Sequence, residues 1–187
     1  MRLGVASTDP SACDALHARD PESMVVFPAI SDSLVYVDRD GAIQPGLAVS
    51  WERLDPFVVE FELRRGVRFH DGEPCTADDV VASLEALRVR RPDSLASHTF
   101  LSAITACEKV DESRVRVRTD RPDGALLYRL SAAGAVYPRR LLDGGDMSAL
   151  FEQPIGTGAF IFDRWQQGEA IVLRRNPDHW SGQVTID

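Results

Sequence analysis

The side chains best suited to hold a metal ion or to act as nucleophiles are four histidines and three cysteines. The histidines are spread along the chain, and none of them belongs to an H-E-x-x-H motif, which places two imidazoles on one helix face. The cysteines form no C-x-x-C pair and their number is odd, so zinc and redox spacings are both absent. We therefore predict no metal, no other cofactor and three free, largely buried thiols. The four histidines are His17, His70, His98 and His179, and the three cysteines are Cys13, Cys75 and Cys107.

Other catalytic patterns are also missing from the sequence. No G-x-S-x-G elbow marks a serine nucleophile. Gly156-Thr157-Gly158 lacks the third glycine of a dinucleotide fingerprint and opens a strand, which argues against a phosphate-binding loop. His70-Asp71 could serve as a base or a ligand, but we predict a turn histidine with local hydrogen bonds. Asp78 and Asp79 are explained by the start of a helix. We predict that the chain is not an enzyme.

A polar loop near the N-terminus is the best candidate for contact with a ligand. Leu3 to Ala6 has the composition of a short buried strand, and a turn-rich segment follows it directly. Small polar side chains and free N–H groups after the carboxyl end of a strand often face ligands in α/β folds. An ordinary surface loop explains the same composition. The candidate ligand-binding residues are Ser7, Thr8, Asp9, Ser11 and, from the second glycine-rich stretch, Thr157.

The elements that would position such residues are organised around the stretch from Trp51 to Leu87. Apolar and polar residues alternate from 57 to 64, which is typical of a half-buried strand that begins at Phe57. We predict that Phe61 and Leu63 face a core while Glu60 and Glu62 face water. Turns at Arg65-Gly66 and Asp71-Gly72 would then flank a second, short strand at Val67-Arg68-Phe69.

A helix is predicted to begin directly after Thr76. Thr76 and Asp79 form a capping-box pattern: the Thr76 hydroxyl would accept from the Asp79 N–H, and the Asp79 carboxylate would accept from the Thr76 N–H. The apolar residues behind this cap recur at helical spacing. The arginines from Arg88 to Arg91, followed by Pro92, mark the end of the helix.

The remaining segments predict short helices and hairpins. Residues 21–34 suit a helix that Pro28 kinks or divides. Asp38 to Gly41 and residues 111–113 are predicted turns, the second between one-sided strands at 104–108 and 114–119. A short helix around residues 126–130 and a last hairpin, 159–165 with 170–174, complete the prediction.

Composition limits the class of protein. With 187 residues and 44% hydrophobic content, the chain can bury a core without disulfides or a metal. The net charge of −8 disfavours nucleic acid as a partner. No apolar run approaches the roughly 20 residues that cross a bilayer. Met1-Arg2-Leu3 does not open a signal peptide, so we expect either a cytoplasmic chain or a trimmed mature start.

Two blocks of sequence, in the same order, resemble one protein family. The first comprises Pro45-Gly46-Leu47-Ala48, Ser50-Trp51-Glu52, Phe61 to Gly72 and Thr76 to Leu84, and the second Ile155 to Phe160, Trp165 and Ile171 to Trp180. They resemble the extracellular solute-binding proteins of family 5, the dipeptide, oligopeptide and nickel class that serves ABC importers. The resemblance covers nearly the whole chain and favours a trimmed start.

The resemblance implies an α/β fold of mixed α+β character, like the type II periplasmic binding proteins, of which this chain would be an N-terminal fragment. Residues 1–33 and 154–187 would belong to the core domain of the first lobe. Residues 34–153 would form an inserted subdomain of antiparallel strands with helices on one side. The second lobe would be absent.

The function implied is that of a non-enzymatic solute-binding component. It would bind a peptide-like or other small solute between two lobes and deliver it to the permease subunits of an ABC importer. The location would be periplasmic or extracellular, with membrane association through the transporter or a lipid anchor outside this chain. A ligand-sensing regulatory module with the same fold is the alternative. Ligand identity does not follow from the sequence.

Overall fold

The computed structural model describes residues 2–3, 23–89, 100–143, 150, 153–166 and 170–182. The candidate residues Ser7, Thr8, Asp9 and Ser11 lie outside the described residues, as does Cys13. The helices and strands are, in chain order, β1 (Arg2–Leu3), α1 (Ser23–Ile30), β2 (Val35–Val37), β3 (Ile43–Pro45), β4 (Ala48–Asp55), β5 (Val58–Leu63), α2 (Ala77–Val89), β6 (Ile104–Asp111), β7 (Arg114–Thr119), α3 (Leu126–Ala133), α4 (Arg139–Asp143), β8 (Phe160–Gln166) and β9 (Ala170–Arg175).

The strands form three antiparallel sheets. The largest has the order β4-β5-β7-β6, β2 and β3 form a hairpin, and a small sheet has the order β1-β9-β8. In the small sheet Arg2 and Leu3 pair with Val172 and Ile171, so the first and last strands are direct neighbours. Helices and antiparallel sheets together give the mixed α/β class that the sequence predicts.

The four-stranded sheet confirms the predicted orientation of β5 but not its start. Phe61 is fully buried and Glu62 is exposed. Glu60 is only partly exposed, because Arg114 and Arg116 on β7 bind its carboxylate at 3.2 and 2.6 Å. The prediction that the strand begins at Phe57 is wrong. Phe57 lies in the turn that joins β4 to β5, and it is 44% exposed because turn side chains project away from the sheet.

The segment between β5 and α2 turns twice, as predicted, but contains no second strand. Gly66 and Gly72 have φ angles of +77° and +90°, which glycine adopts without strain. Between them, only Arg68 makes a β-bridge, to Pro74. The predicted strand at 67–69 is therefore wrong: turns so close together leave room for one bridge and not for a ladder.

Helix α2 begins where the cap predicts, although half of the capping box differs. The Thr76 N–H donates to Asp79 Oδ2 at 2.8 Å, as predicted. The Thr76 hydroxyl does not accept from the Asp79 N–H, which donates to the Thr76 carbonyl instead. The hydroxyl donates to Asp79 Oδ2 at 2.7 Å, because a carboxylate is the stronger acceptor within its reach. Asp79 Oδ1 also accepts the Arg139 N–H at 2.8 Å, which anchors α4.

The remaining predicted elements in the described ranges are present with small shifts, whereas residues 4–6 of the predicted strand Leu3 to Ala6 lie outside the described residues. Helix α1 contains Pro28 and ends at Ile30, so it is one helix that is shorter than the predicted 21–34. The turn at Asp38 to Gly41 joins β2 to β3, and residues 112–113 join β6 to β7. The last hairpin is β8 with β9.

Two hydrophobic cores hold these elements. The larger lies between the four-stranded sheet and α2, α3 and α4, with Phe61, Leu84 and Tyr137 among its fully buried side chains. The smaller joins α1 to the small sheet through Val26, Ile30, Phe160, Ile171 and Leu173. The boundary between the two cores is where distant parts of the sequence meet.

Candidate functional site

A polar cluster fills this boundary and is centred on the carboxylate of Asp32, which lies between α1 and β2. Asp32 Oδ2 accepts a hydrogen bond from the Thr157 hydroxyl at 2.9 Å and another from the Trp180 indole N–H at 2.7 Å. His179 Nε2 is 3.4 Å from the same oxygen. We call Asp32, Thr157, His179 and Trp180 the Asp32 junction. It joins segments that lie 125 to 148 residues apart in sequence.

Two glycines let the chain approach this closely. A Cβ atom on Gly156 would lie 2.2 Å from the Ile30 carbonyl oxygen, and one on Gly158 would lie 2.6 Å from it. Neither distance is possible for a real side chain, so only glycine fits at these positions. The Gly158 N–H then donates to the Ile30 carbonyl at 2.8 Å. The Gly-Thr-Gly spacing therefore serves close packing on the end of α1.

Thr157, between these glycines, is 1% exposed. Besides donating to the Asp32 carboxylate, its hydroxyl accepts the Asp32 backbone N–H at 3.4 Å. The hydroxyl thus has a donor and an acceptor within the chain, and a ligand-facing role for Thr157 stays a prediction.

Trp180 is held on two sides. Its indole binds Asp32, and the guanidinium carbon of Arg64 lies 4.3 Å from the ring centroid, the arrangement of a cation–π contact. Arg64 Nε in turn donates to the Gly46 carbonyl at 3.2 Å. The end of β5 is thereby tied to the segment that follows β9.

His70 connects the turn segment before α2 to the same region. Its backbone N–H donates to the Gly156 carbonyl at 2.9 Å. On the ring, Nδ1 accepts the Gly156 N–H at 3.3 Å and Nε2 donates to the Gly158 carbonyl at 3.0 Å. The prediction of local hydrogen bonds for His70 is therefore wrong, since its partners lie 86 and 88 residues away. Burial lowers the pKa of His70, although its bond to the Gly158 carbonyl acts in the opposite direction.

Sequence analysis missed Asp32, Trp180 and Asn176 as members of this region. Asn176 is buried; its side-chain amide donates to the Gly158 carbonyl at 3.0 Å and its side-chain oxygen accepts the Asp178 N–H at 3.1 Å. One signal was available. Asp32 is the single charged residue between Phe27 and Val37, and a carboxylate in a stretch that is mostly apolar needs hydrogen-bond donors if that stretch is buried.

Clefts large enough for a small molecule border this region on both sides of His70. One of about 660 Å³ is lined by Arg68, His70, Arg174, Asn176, Asp178 and His179. Another of about 570 Å³ is lined by residues that include His70, Asp71, Phe162, Asp163 and Trp165. Ligand pockets in proteins commonly have volumes of about 300–1,000 Å³. A third, of about 420 Å³, lies between α2 and α4.

The arrangement of Ser181, His179 and Asp32 invites a catalytic interpretation. His179 Nδ1 is 2.8 Å from the Ser181 hydroxyl, while His179 Nε2 faces Asp32. However, Asp32 makes its shorter bonds to Thr157 and Trp180, and 3.4 Å is too long to orient an imidazole firmly. Ser181 also sits in a tight turn that the Gly182 N–H closes on the His179 carbonyl at 2.9 Å. The serine–histidine contact is therefore that of a turn.

The two thiols in the described part of the chain, those of Cys75 and Cys107, have raised pKa values. Cys75 and Cys107 are free, as predicted. Burial, followed by the charge of Glu85, raises the pKa of Cys107 to about 12, and burial raises the pKa of Cys75 as well. Within the described ranges, no three His, Cys, Asp or Glu side chains are grouped to hold a metal ion. Nor is any helix in the described part of the chain long and apolar enough to span a membrane.

Comparison with known proteins identifies the family to which this chain is similar. Residues 42–187 match the family described as bacterial extracellular solute-binding proteins, family 5 Middle. The chain belongs to this family. Di/tripeptide-binding protein 2 of Pseudomonas aeruginosa, one of its relatives, is 29% identical over 201 residues, covering 96% of this chain and 37% of that protein.

Two solved structures show the same fold. MoaA from A. tumefaciens R10, in complex with mannopinic acid, has a TM-score of 0.84 at 30% identity, covering 96% of this chain and 37% of that one. NikZ from Campylobacter jejuni, in complex with Ni(L-His), has a TM-score of 0.80 at 27% identity, covering 98% and 36%. The predicted α/β fold, like the type II periplasmic binding proteins, is confirmed. The chain spans little more than a third of the length of these relatives.

Proposed function

We propose that this chain is part of the solute-binding component of an ABC importer, which binds a peptide-like or other small solute between two lobes and delivers it to membrane permease subunits. Its membership of the family 5 solute-binding proteins carries the proposal. The relatives named above bind a di- or tripeptide, Ni(L-His) and mannopinic acid, so small solutes of different chemistry suit this fold. The regulatory alternative has no support among them.

We also propose that the chain has no catalytic role. The Asp32 carboxylate already accepts hydrogen bonds from the Thr157 hydroxyl and the Trp180 indole N–H, so it is not available as a base. The raised pKa of Cys107 leaves a protonated thiol at neutral pH, which is a poor nucleophile.

The proposed domain organisation is a core domain from residues 1–33 and 154–187 with residues 34–153 inserted. The pairing of β1 with β9 supports it, because the first and last strands then share one sheet. The separate apolar core beneath α1 supports it as well. In this organisation Ser7, Thr8, Asp9 and Ser11 follow β1 and stay the proposed ligand contacts.

The proposed location is periplasmic or extracellular, as the description of the family implies. Contact with the membrane would come through the permease subunits or through a lipid anchor. Two features of the gene test this: an export or lipoprotein signal in its reading frame, and permease and ATPase genes beside it. A helix-turn-helix coding segment in the same frame would favour the regulatory alternative instead.

Binding is tested by calorimetry with defined probes: Ala-Ala, Ala-Ala-Ala, nickel–histidine and mannopinic acid. The complete product of the gene is expected to bind at least one probe class saturably. The 187-residue chain alone should bind the same probe roughly a thousandfold more weakly, since closure of two lobes around a solute supplies contacts from both sides. Equal affinity of the two proteins would contradict the two-lobe proposal.

A further inference from the structure

The His70 side chain bridges two parts of the chain that no strand pairing connects. One is the turn segment between β5 and α2, which carries His70, and the other is the segment 154–158 that leads into β8. Three hydrogen bonds join them, and two of the three are made by the imidazole ring. These two ring bonds use opposite properties of the imidazole, since Nδ1 accepts and Nε2 donates.

Only the neutral Nε2–H tautomer can make both ring bonds. Protonation places a second N–H on Nδ1, where it would point at the Gly156 N–H, itself a donor. Two donors cannot bond to each other, so the ring must lose the Gly156 contact when it becomes charged. The bond from Nε2 to the Gly158 carbonyl is stronger in the charged form, but it does not compensate, because burial disfavours the charged ring by more.

The charges around His70 leave this conflict in place. Asp32 attracts a charged His70, whereas Arg174 and His179 repel it. The other ionisable groups share the two clefts with it: Arg68, Asp71, Asp163, Arg164 and Asp178. Several are already paired: Asp71 with Arg140, Asp163 with Arg164, and Arg68 with the Gly72 carbonyl. Among the described carboxylates in the clefts, those of Asp71 and Asp163 are each paired with an arginine, whereas that of Asp178 is not.

We propose that His70 is an acid-sensitive latch that holds segment 154–158 against the turn segment before α2 while neutral and releases it when protonated. The latch depends on the ring geometry alone and does not rest on solute binding. It would make the boundary between the two hydrophobic cores the first part of the described chain to loosen in mild acid.

The direction of the pH effect follows from linkage. Burial holds the pKa of His70 in the closed form below its ordinary value of 6.5, so the open form binds the proton more readily. Opening therefore becomes easier as the pH falls below 6.5, and the gain stops once the pH passes the pKa of the closed form. From about pH 7.5 to about pH 5, the opening constant rises by up to roughly 30-fold if the open form titrates at the ordinary value.

Amide hydrogen exchange of the 187-residue chain, read residue by residue by NMR, tests the latch. The reporter is the Gly156 N–H, which bonds directly to the ring. Its protection factor, corrected for the intrinsic rate at each pH, should fall between pH 7.5 and 5, by up to roughly 30-fold. The Val117 N–H in the middle of the four-stranded sheet serves as reference and should keep its protection. Equal loss at both sites would show global unfolding and overturn the proposal.

Two variants separate His70 from the neighbouring histidine. In His70→Gln the side-chain amide can still donate to the Gly158 carbonyl but does not titrate, so Gly156 protection should become independent of pH. In His179→Gln the pH response should persist, because the His179 ring contacts Ser181 and Asp32, whereas the Gly156 N–H bonds to His70. A pH response that persists in His70→Gln and disappears in His179→Gln would assign the response to His179 and refute the latch. The nitrogen chemical shifts of the His70 ring report its tautomer directly in the unsubstituted chain. A proton on Nδ1 at pH 7.5 would also refute the latch.

Discussion

Replacing Thr157 by valine removes one hydroxyl from the Asp32 junction with almost no change in shape. The hydroxyl donates to the Asp32 carboxylate at 2.9 Å in a site where Thr157 is 1% exposed. A hydrogen bond to a charged group contributes about 1.5–3 kcal/mol, and its loss leaves the partly buried Asp32 carboxylate with one donor fewer. We therefore expect Thr157→Val to lower the free energy of unfolding by about 2 kcal/mol.

Thr157→Ser is the matched control, because it keeps the hydroxyl and loses only a methyl group, at about 0.8 kcal/mol. With a urea m-value of about 2 kcal/mol/M, the unfolding midpoint should fall by about 1 M for valine and about 0.4 M for serine. The two changes thus separate the hydrogen bond from the packing. A serine variant less stable than the valine variant would show that packing, and not the bond to Asp32, is what Thr157 contributes.

A double-mutant cycle with Asp32→Asn makes the test specific to this pair. The neutral asparagine can still accept, but it forms a weaker bond than a carboxylate does. Thr157→Val should then cost less in the Asp32→Asn background than in the original chain. Equal costs in both backgrounds would mean that the two side chains are energetically independent.

Three further outcomes are expected. Phe61→Ala should lower the free energy of unfolding by about 3–5 kcal/mol and Glu62→Ala by less than about 0.5 kcal/mol, and equal losses in a urea titration would contradict the orientation of β5. Gly158→Ala should lower the free energy of unfolding by at least about 1–3 kcal/mol, because the new Cβ would lie 2.6 Å from backbone atoms of Ile30. Gly124→Ala is the control: its Cβ would have no atom within 4 Å, so the urea midpoint should change little. Cys107 should resist iodoacetamide at pH 8 in the folded chain and react in urea, because burial raises its pKa to about 12; rapid labelling of the folded chain would refute this.

Local patterns predicted most of the secondary structure. The alternation along β5, the cap before α2 and the turn before β7 are each set by residues within a few positions of one another. Such signals are readable because hydrophobic period and turn chemistry act over short distances. One error is local as well: the apolar side chain of Phe57 fits the alternation of a strand, but the chain reverses there and exposes it.

The Asp32 junction could not be predicted in the same way. Asp32 bonds to Thr157 and Trp180, which lie 125 and 148 residues further along the chain. Nothing in the residues next to Asp32 identifies these partners, because the contacts exist only once both sheets have formed. His70 shows the same limit, since its turn was predicted correctly while its hydrogen-bond partners were not.

The polar boundary also helps to keep the small sheet in register. Among the described residues, five buried apolar side chains and a few partly buried ones form the core of that sheet, and the described part of β1 is only two residues long. Apolar contacts of this extent would tolerate several packings, whereas hydrogen bonds at fixed distances to Asp32 and His70 tolerate one, since a shift would leave buried polar groups unpaired. Loss of these bonds should therefore loosen the segments 154–158 and 176–180 before it affects the four-stranded sheet. This expectation is what makes the Gly156 amide the informative reporter and Val117 its proper reference.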